Sequence, residues 1–435
     1  MSQTAPKSRR RPAKRPMRLD ALTLPTEGTD TTRRVLIRQL RRLERVFPDL
    51  PVRMMPSETR GLYVEAVQRW RACRGAGKGA HILRSAHISV LLECALRHLG
   101  PRGDHAAAAG WIRELSALVL TEVALLGALP GSGSTWASDG QPLTLRSPLA
   151  NVHWTLPPET RAVRWSPGQV EALSAEGDAL AAVTLRPDGA LPAGATRPYH
   201  KIVDGVWLAE VDNNPLSDFE AHPDKTGNQL DLGARDASEW SDCLRRCFEL
   251  LDAHLPALGA ELRTVAQLVI PVGYDAERHL SASYQEYIGA AYMTLHGNDM
   301  TMVEALIHEF QHNKINAAFQ QDPLLHNAFS PLYASPVRPD PRPLHGVILA
   351  VHAFQPVAAL YEAMDAAEHP WAKNPSWRRR YLQVVDKIRD GAATTLDNAQ
   401  ATSVGEAYFS DMRRWDEHFA EVQATLRQEP GLRPR

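Results

Sequence analysis

Between residues 31 and 130 apolar side chains return every three or four positions. The runs TTRRVLIRQLRRLERVF, RGLYVEAVQRWRAC and HILRSAHISVLLECALRHL each keep one apolar face and give the other to charged and polar residues, the pattern of helices that bury a stripe. A helical N-terminal domain is expected over 31–130. LPGSGSTWASDGQPLTLRSP then carries Gly, Ser and Pro at linker density, which places a linker at 131–150. From about 150 to 240 the texture changes to short apolar runs broken by Pro, Gly and Asp, such as HKIVDGVWLAEVDNNP, and predicts strands and loops. ASEWSDCLRRCFELLDAHL returns to helical spacing. VAQLVIPVGY and SYQEYIGAAYMTL are rich in β-branched and aromatic residues and read as strands. After residue 343 the chain reads as helix almost to its end. No repeat of fixed period interrupts this order. The pattern predicts an α+β fold, mostly helical, with 151–430 as a single domain.

Charge narrows the function classes. With 49 basic against 50 acidic residues, no global field draws nucleic acid or an anionic membrane, so function must be sought in local clusters. The exception is the first stretch, where Lys7, Arg9, Arg10, Arg11, Lys14, Arg15 and Arg18 meet no acid before Asp20. No apolar segment follows them, which excludes a secretory signal. Residues 1–30 are read as a basic, disordered tail, with a docking arm for an acidic partner as the alternative. The apolar stretch from Ala106 carries Arg113, Glu114 and Glu122, which argues against a bilayer span and for a buried amphipathic helix. Four cysteines, Cys73, Cys94, Cys243 and Cys247, fit a reducing compartment, hence a cytoplasmic location. Cys243 and Cys247 are one helical turn apart, but no second pair with zinc-finger spacing accompanies them, so they are read as structural. GSGS at 131–134 lacks the Lys-Ser/Thr of a phosphate-binding loop.

The chemistry concentrates in ALIHEFQHNK, residues 305–314. Thr301 and Glu304 have the spacing of a capping box, which predicts a helix start there. On that helix His308 and His312 are one turn apart and can chelate one cation, while Glu309 lies about 100° around the axis. This is an H-E-x-x-H string. Roughly one chain of this histidine content in twenty-five would hold it by chance, so context carries the weight. The context is an alternating strand, a short loop with Gly297 and Asn298, and then a capped helix. The layout expected for 151–430 is a zincin-like sheet, the motif helix and a C-terminal helical bundle.

Two imidazoles bind weakly, so a third ligand is expected. The nearest candidates lie in RPDPRPLHGVILAVHAFQPVAALYEAM, where Pro343 suits a first helical turn. His345 and His352 are seven residues apart and share a face, and Glu362 is about 80° off it. His352 is preferred, then His345, then Glu362, and each has a plain alternative as a packing residue. Such a set suits zinc hydrolysis or non-haem iron oxygenation, and spacing does not choose between them.

LAEVDNNPLSDFEAHPDKTGNQLDLG, YQEYIGAAYMTL, EALIHEFQHNKINA and RPDPRPLHGV, in that order, resemble the HExxH-motif proteins encoded beside ribosomally made, post-translationally modified peptides, a family of 2-oxoglutarate-dependent peptide β-hydroxylases. The resemblance covers roughly 150–430, and more weakly the helical part before it. It implies Fe(II) on His308, His312 and a downstream ligand, 2-oxoglutarate as co-substrate, and hydroxylation of a β-carbon in a ribosomal precursor peptide. A separate leader-peptide-binding partner is compatible with it. The helix after RPLHG reads VILAVHAF here, so the third ligand stays open. The distal carboxylate of 2-oxoglutarate needs a cation, and Arg338 and Arg342 are the candidates, unless they belong to a solvent-exposed loop.

Under this reading Glu309 supports a ligand or bound water by hydrogen bonding. If the site is a zinc metalloprotease, the same side chain is the general base. The strand over Tyr284–Thr294 could align an extended peptide in either case. Asp218, Glu220, His222 and Asp224 are close in sequence, but Pro215 and Pro223 suggest a structured loop, which can line the cleft. A metal-free peptide-binding protein that retains the motif is the third alternative.

Overall fold

A computed structural model describes residues 19–100, 102–129, 133–138, 140–217 and 229–429. The chain is α+β with helix dominant. The four expected N-terminal helices form as α1 (Thr31–Val46), α2 (Ser57–Gly75), α3 (Ala86–His98) and α4 (His105–Leu125). The described part of the expected linker is structured. It contains β1 (Ser134–Ala137) and β2 (Thr144–Ser147), because Trp136, Leu143 and Leu145 are apolar enough to be buried despite the glycines around them. β3 (Val152–Thr155), β4 (Ala162–Ser166), β5 (Gln169–Leu173), β6 (Ala179–Thr184) and β7 (Ala195–Thr196) complete two antiparallel sheets of order β1-β4-β5-β6 and β2-β3-β7.

The central sheet positions the motif. β8 (Tyr199–Val203), β9 (Val206–Ala209), β10 (Leu268–Tyr274), β11 (Ser281–Ala282) and β12 (Ala290–Leu295) stand in the order β11-β12-β10-β9-β8. β10 is parallel to both its neighbours, and the outer pairs are antiparallel. Each face of this sheet belongs to a different core. Val269, Ala291, Met293 and Leu295 point to one core, and Leu268, Ile270, Ala290 and Tyr292 to the other, following the two-residue period of a strand. The second core takes α2, α3, α4 and the small sheets.

The first core takes the remaining helices: α1, α5 (Ala237–His254), α6 (Pro256–Val265), α7 (Asp299–Phe319), α8 (Leu344–Ala366), α9 (Pro375–Asn398) and α10 (Gly405–Leu426). α1 thus gives Val35 and Leu36 to the core of the C-terminal helices and Leu43 to the core of α2–α4, where its Arg42 and Glu44 also pair with Glu93 of α3 and Arg74 of α2. Leu19, Leu22 and Leu24 are buried as well, so the part of the expected tail from residue 19 is anchored in the protein; residues 1–18 lie outside the described residues. A short ribbon, β13 (Leu332–Tyr333) with β14 (Arg342–Pro343), bridges α7 and α8.

Two local expectations change. SYQEYIGAAYMTL becomes strand only from Ala290, and Ser283–Gly289 is a turn region. The capping box does not form. α7 starts at Asp299, Asn298 caps it by accepting the Met300 N–H at 2.9 Å, and Thr301 is already inside the helix. Glu304 is drawn away by Arg380 and Tyr361. Among the described residues, one helix, Leu344–Ala366, is long and apolar enough to cross a membrane, and 78% of that window is buried inside the protein.

Candidate metal centre

α7 leaves the end of β12 through a three-residue turn and runs between α5, α8, α1 and the sheet, so residues on nearly all its sides are buried. Asn313, fully buried, fastens it to the sheet. Its amide oxygen accepts the Gly289 N–H and its amide nitrogen donates to the Ala290 carbonyl at 3.1 Å. Immediately before this fastening, His308 and His312 turn toward each other. Their Nε2 atoms are 2.9 Å apart and their ring planes nearly perpendicular, at 84°. Phe354 of α8 stands edge-on to His308, with centroids 4.9 Å apart.

Both rings keep part of their surface open while protein surrounds the rest. Burial depresses both imidazoles. His308 is pushed well below the usual histidine range by burial first, and then by His312, Lys387, Arg380 and His279. His312 falls to about 4, through burial and then His345. At neutral pH both rings are therefore neutral, the form that ligates a metal.

Glu309 points to the edge strand. Its carboxylate is 3% exposed and accepts a 2.7 Å hydrogen bond from the Ser281 hydroxyl on β11. Burial raises its pKa to about 7, with Ser281 and Ser283 pulling the other way. It is thus placed beside the imidazole pair and not on it.

The third ligand is less plainly placed. Among the described residues no group of three His, Cys, Asp or Glu side chains is gathered at metal-binding distance. His352 is fully buried, with Nδ1 at 2.8 Å from the Thr23 hydroxyl and 3.3 Å from that of Tyr408, and its Nε2 has no hydrogen-bond partner. Metal-binding imidazoles commonly show this division, one nitrogen held by a neighbour and the other free. His345 lies against Phe319 and Phe329, at centroid distances of 4.4 Å and 5.3 Å. Glu362 is taken by His418 at 2.9 Å. Of the three candidates, only His352 offers an orphaned buried donor.

The arginines expected to hold a carboxylate are on the β13–β14 ribbon and its loop. Arg338 is exposed, in the loop before β14. Arg342, on β14, is half-buried and pairs with the exposed Asp340 at 2.9 Å. The cations that act on His308 come from α9, which spacing gave no reason to single out. Arg380 is committed to Glu304 at 2.6 Å. Lys387 is half-buried and stands 5.0 Å from the centroid of the Phe354 ring.

Asp218, Glu220, His222 and Asp224 lie outside the described residues. The preceding Asp212 and Asn213 serve the other core. Asn213 Oδ1 is 2.7 Å from His87 Nδ1, and Tyr292 donates to Asp212 at 2.7 Å. Burial first, and Arg146 second, push His87 down to about 3, so its ring is neutral within this hydrogen-bonded packing. No family model and no curated protein matches the chain.

Proposed function

We propose that this chain is an Fe(II)- and 2-oxoglutarate-dependent hydroxylase that acts on a β-carbon of a ribosomally synthesised precursor peptide. The observation that carries the reading is the convergence of His308 and His312, with Nε2 atoms 2.9 Å apart. The contact brings two neutral ring nitrogens within reach of one cation, and with a third donor and open positions such a set would suit non-haem iron or zinc. His308 and His312 would hold the iron, and His352, through its free Nε2, is the favoured third donor. The ordered sequence segments that resemble the peptide β-hydroxylases point the same way.

Bound iron and 2-oxoglutarate supply the oxidant that removes hydrogen from the substrate carbon. The chain's own part is to keep both imidazoles neutral, orient them through α7, and bring the peptide to them. Glu309, held by Ser281, links the motif helix to the edge strand β11, where an extended peptide can pair with the sheet. The zincin-like layout belongs to this proposal, as does a cytoplasmic location.

A second reading, a zinc metalloprotease, is favoured by one feature. A carboxyl with a pKa of about 7 is well matched to a general base at neutral pH. The test is anaerobic reconstitution with Fe(II), followed by 2-oxoglutarate, air and a candidate precursor peptide. Succinate together with a mass gain of one oxygen on the peptide is the expected result, and peptide cleavage with zinc would replace this reading by the second. His308→Ala should abolish iron loading, measured by metal analysis, and Glu309→Gln should lower hydroxylation only in part. A His308→Ala protein with full iron content and activity would refute the assignment.

A further inference from the structure

We propose that Lys387 is the carboxylate anchor of this site: its ammonium group pairs with the distal carboxylate of the five-carbon 2-oxo dicarboxylate co-substrate, the role that spacing suggested for Arg338 and Arg342. The inference rests on the iron and 2-oxoglutarate reading above. Lys387 projects from the middle of α9 and, among the described residues, has no carboxylate within ion-pair distance. The acid that acts on it, Glu304, is already held by Arg380 and by the Tyr361 hydroxyl. What Lys387 does contact is the face of Phe354, at 5.0 Å, and that ring meets His308 edge-on at 4.9 Å. Ammonium group, aromatic ring and metal-ligating imidazole therefore stand in series.

This arrangement matches the parts of the ligand. A 2-oxo acid binds iron through its keto-acid end, two methylenes follow, and a carboxylate ends the molecule. Phe354 offers an apolar surface for the methylenes, and Lys387 a single positive charge beyond them. A half-buried cation set beside a site for a divalent ion is repelled by that ion unless an anion stands between them. Burial already lowers the Lys387 pKa, with the Arg380 charge adding to it. Arg380 has no free charge to offer, and Arg342 is spent on Asp340.

The experiment is anaerobic titration of the Fe(II)-loaded full chain with 2-oxoglutarate and, separately, with pyruvate, which has the keto acid but no distal carboxylate. Binding is read by calorimetry and by the visible absorption that a chelated keto acid gives to Fe(II). Lys387→Gln should weaken 2-oxoglutarate about tenfold or more and leave pyruvate affinity and iron stoichiometry unchanged. Lys387→Arg should retain most of the affinity. Thermal unfolding of both variants checks that they fold, and the half-exposed position leaves room for either side chain. Unchanged 2-oxoglutarate affinity in Lys387→Gln would overturn the anchor, as would a loss confined to peptide binding. A parent protein that loads iron but binds neither keto acid would overturn the co-substrate reading itself, and that outcome is separable because it appears before any variant is made.

Discussion

Glu122 shows what a single buried carboxyl does to the protein. It is 4% exposed on α4, and burial raises its pKa from 4.5 to about 7 against the opposing hydrogen bond from Ser147. In the unfolded chain it ionises near 4.5, so between that pH and about 7 the folded protein binds more protons than the unfolded one. Stability contributed by the retained proton is full below 4.5 and lost as pH rises to 7. The span corresponds to about 3 kcal/mol at most. Glu122→Gln should therefore match the parent at pH 4.5 and exceed it by about 2 to 3 kcal/mol at pH 8. Urea midpoints at the two pH values check this, and an equal gain at both would show that ionisation is not the cause.

At the scale of elements, α8 and α9 pack closely because Gly391 has no side chain. A Cβ there would stand 2.6 Å from Val351 Cγ2 and 3.1 Å from Pro336. Gly391→Ala should destabilise by about 1 to 3 kcal/mol through overpacking, and Val351→Ala in the same chain should recover part of the loss, as thermal midpoints would show. Helices, strands and the motif were legible because each rests on local periodicity or composition. The helix start was misread at Thr301 because an asparagine cap three residues earlier outcompeted it, and the Glu304 that a capping box needs found stronger partners, Arg380 and Tyr361, from helices far along the chain. The His308–His312 pair could be read from a one-turn spacing. Lys387 could not, since its approach to Phe354 depends on how two helices pack, and no spacing along the chain encodes that.

At the scale of the whole molecule, a buried polar cluster joins distant segments. Lys314, with a fully buried side chain, donates to Glu261 of α6 at 2.6 Å and to the Thr23 carbonyl at 3.3 Å, while Glu261 also accepts from Thr32 of α1. Burial lowers the Lys314 pKa, and Glu261 partly restores it. Lys314→Met would leave Glu261 buried without its cation and should cost about 3 to 5 kcal/mol. Replacing both, as Lys314→Met with Glu261→Gln, should cost less. Chemical unfolding of the two proteins decides it, and equal losses would mean that the charge pair is not the source. The domain boundaries drawn from composition also meet a limit here. The packing of α1 and of residues 19–24 against the C-terminal helices is made by contacts hundreds of residues apart in sequence, and a window of neighbouring residues carries no trace of them.

The amide of Asn313 reads two consecutive main-chain groups at the start of β12. The rotational setting of the imidazole pair is therefore indexed from the strand behind it and not from the helix's own beginning. Lengthening the turn at 296–298 by one residue would leave the two rings aimed where they are, whereas one residue inserted between His312 and Asn313 would swing both by about 100° and carry His308 away from the Phe354 ring.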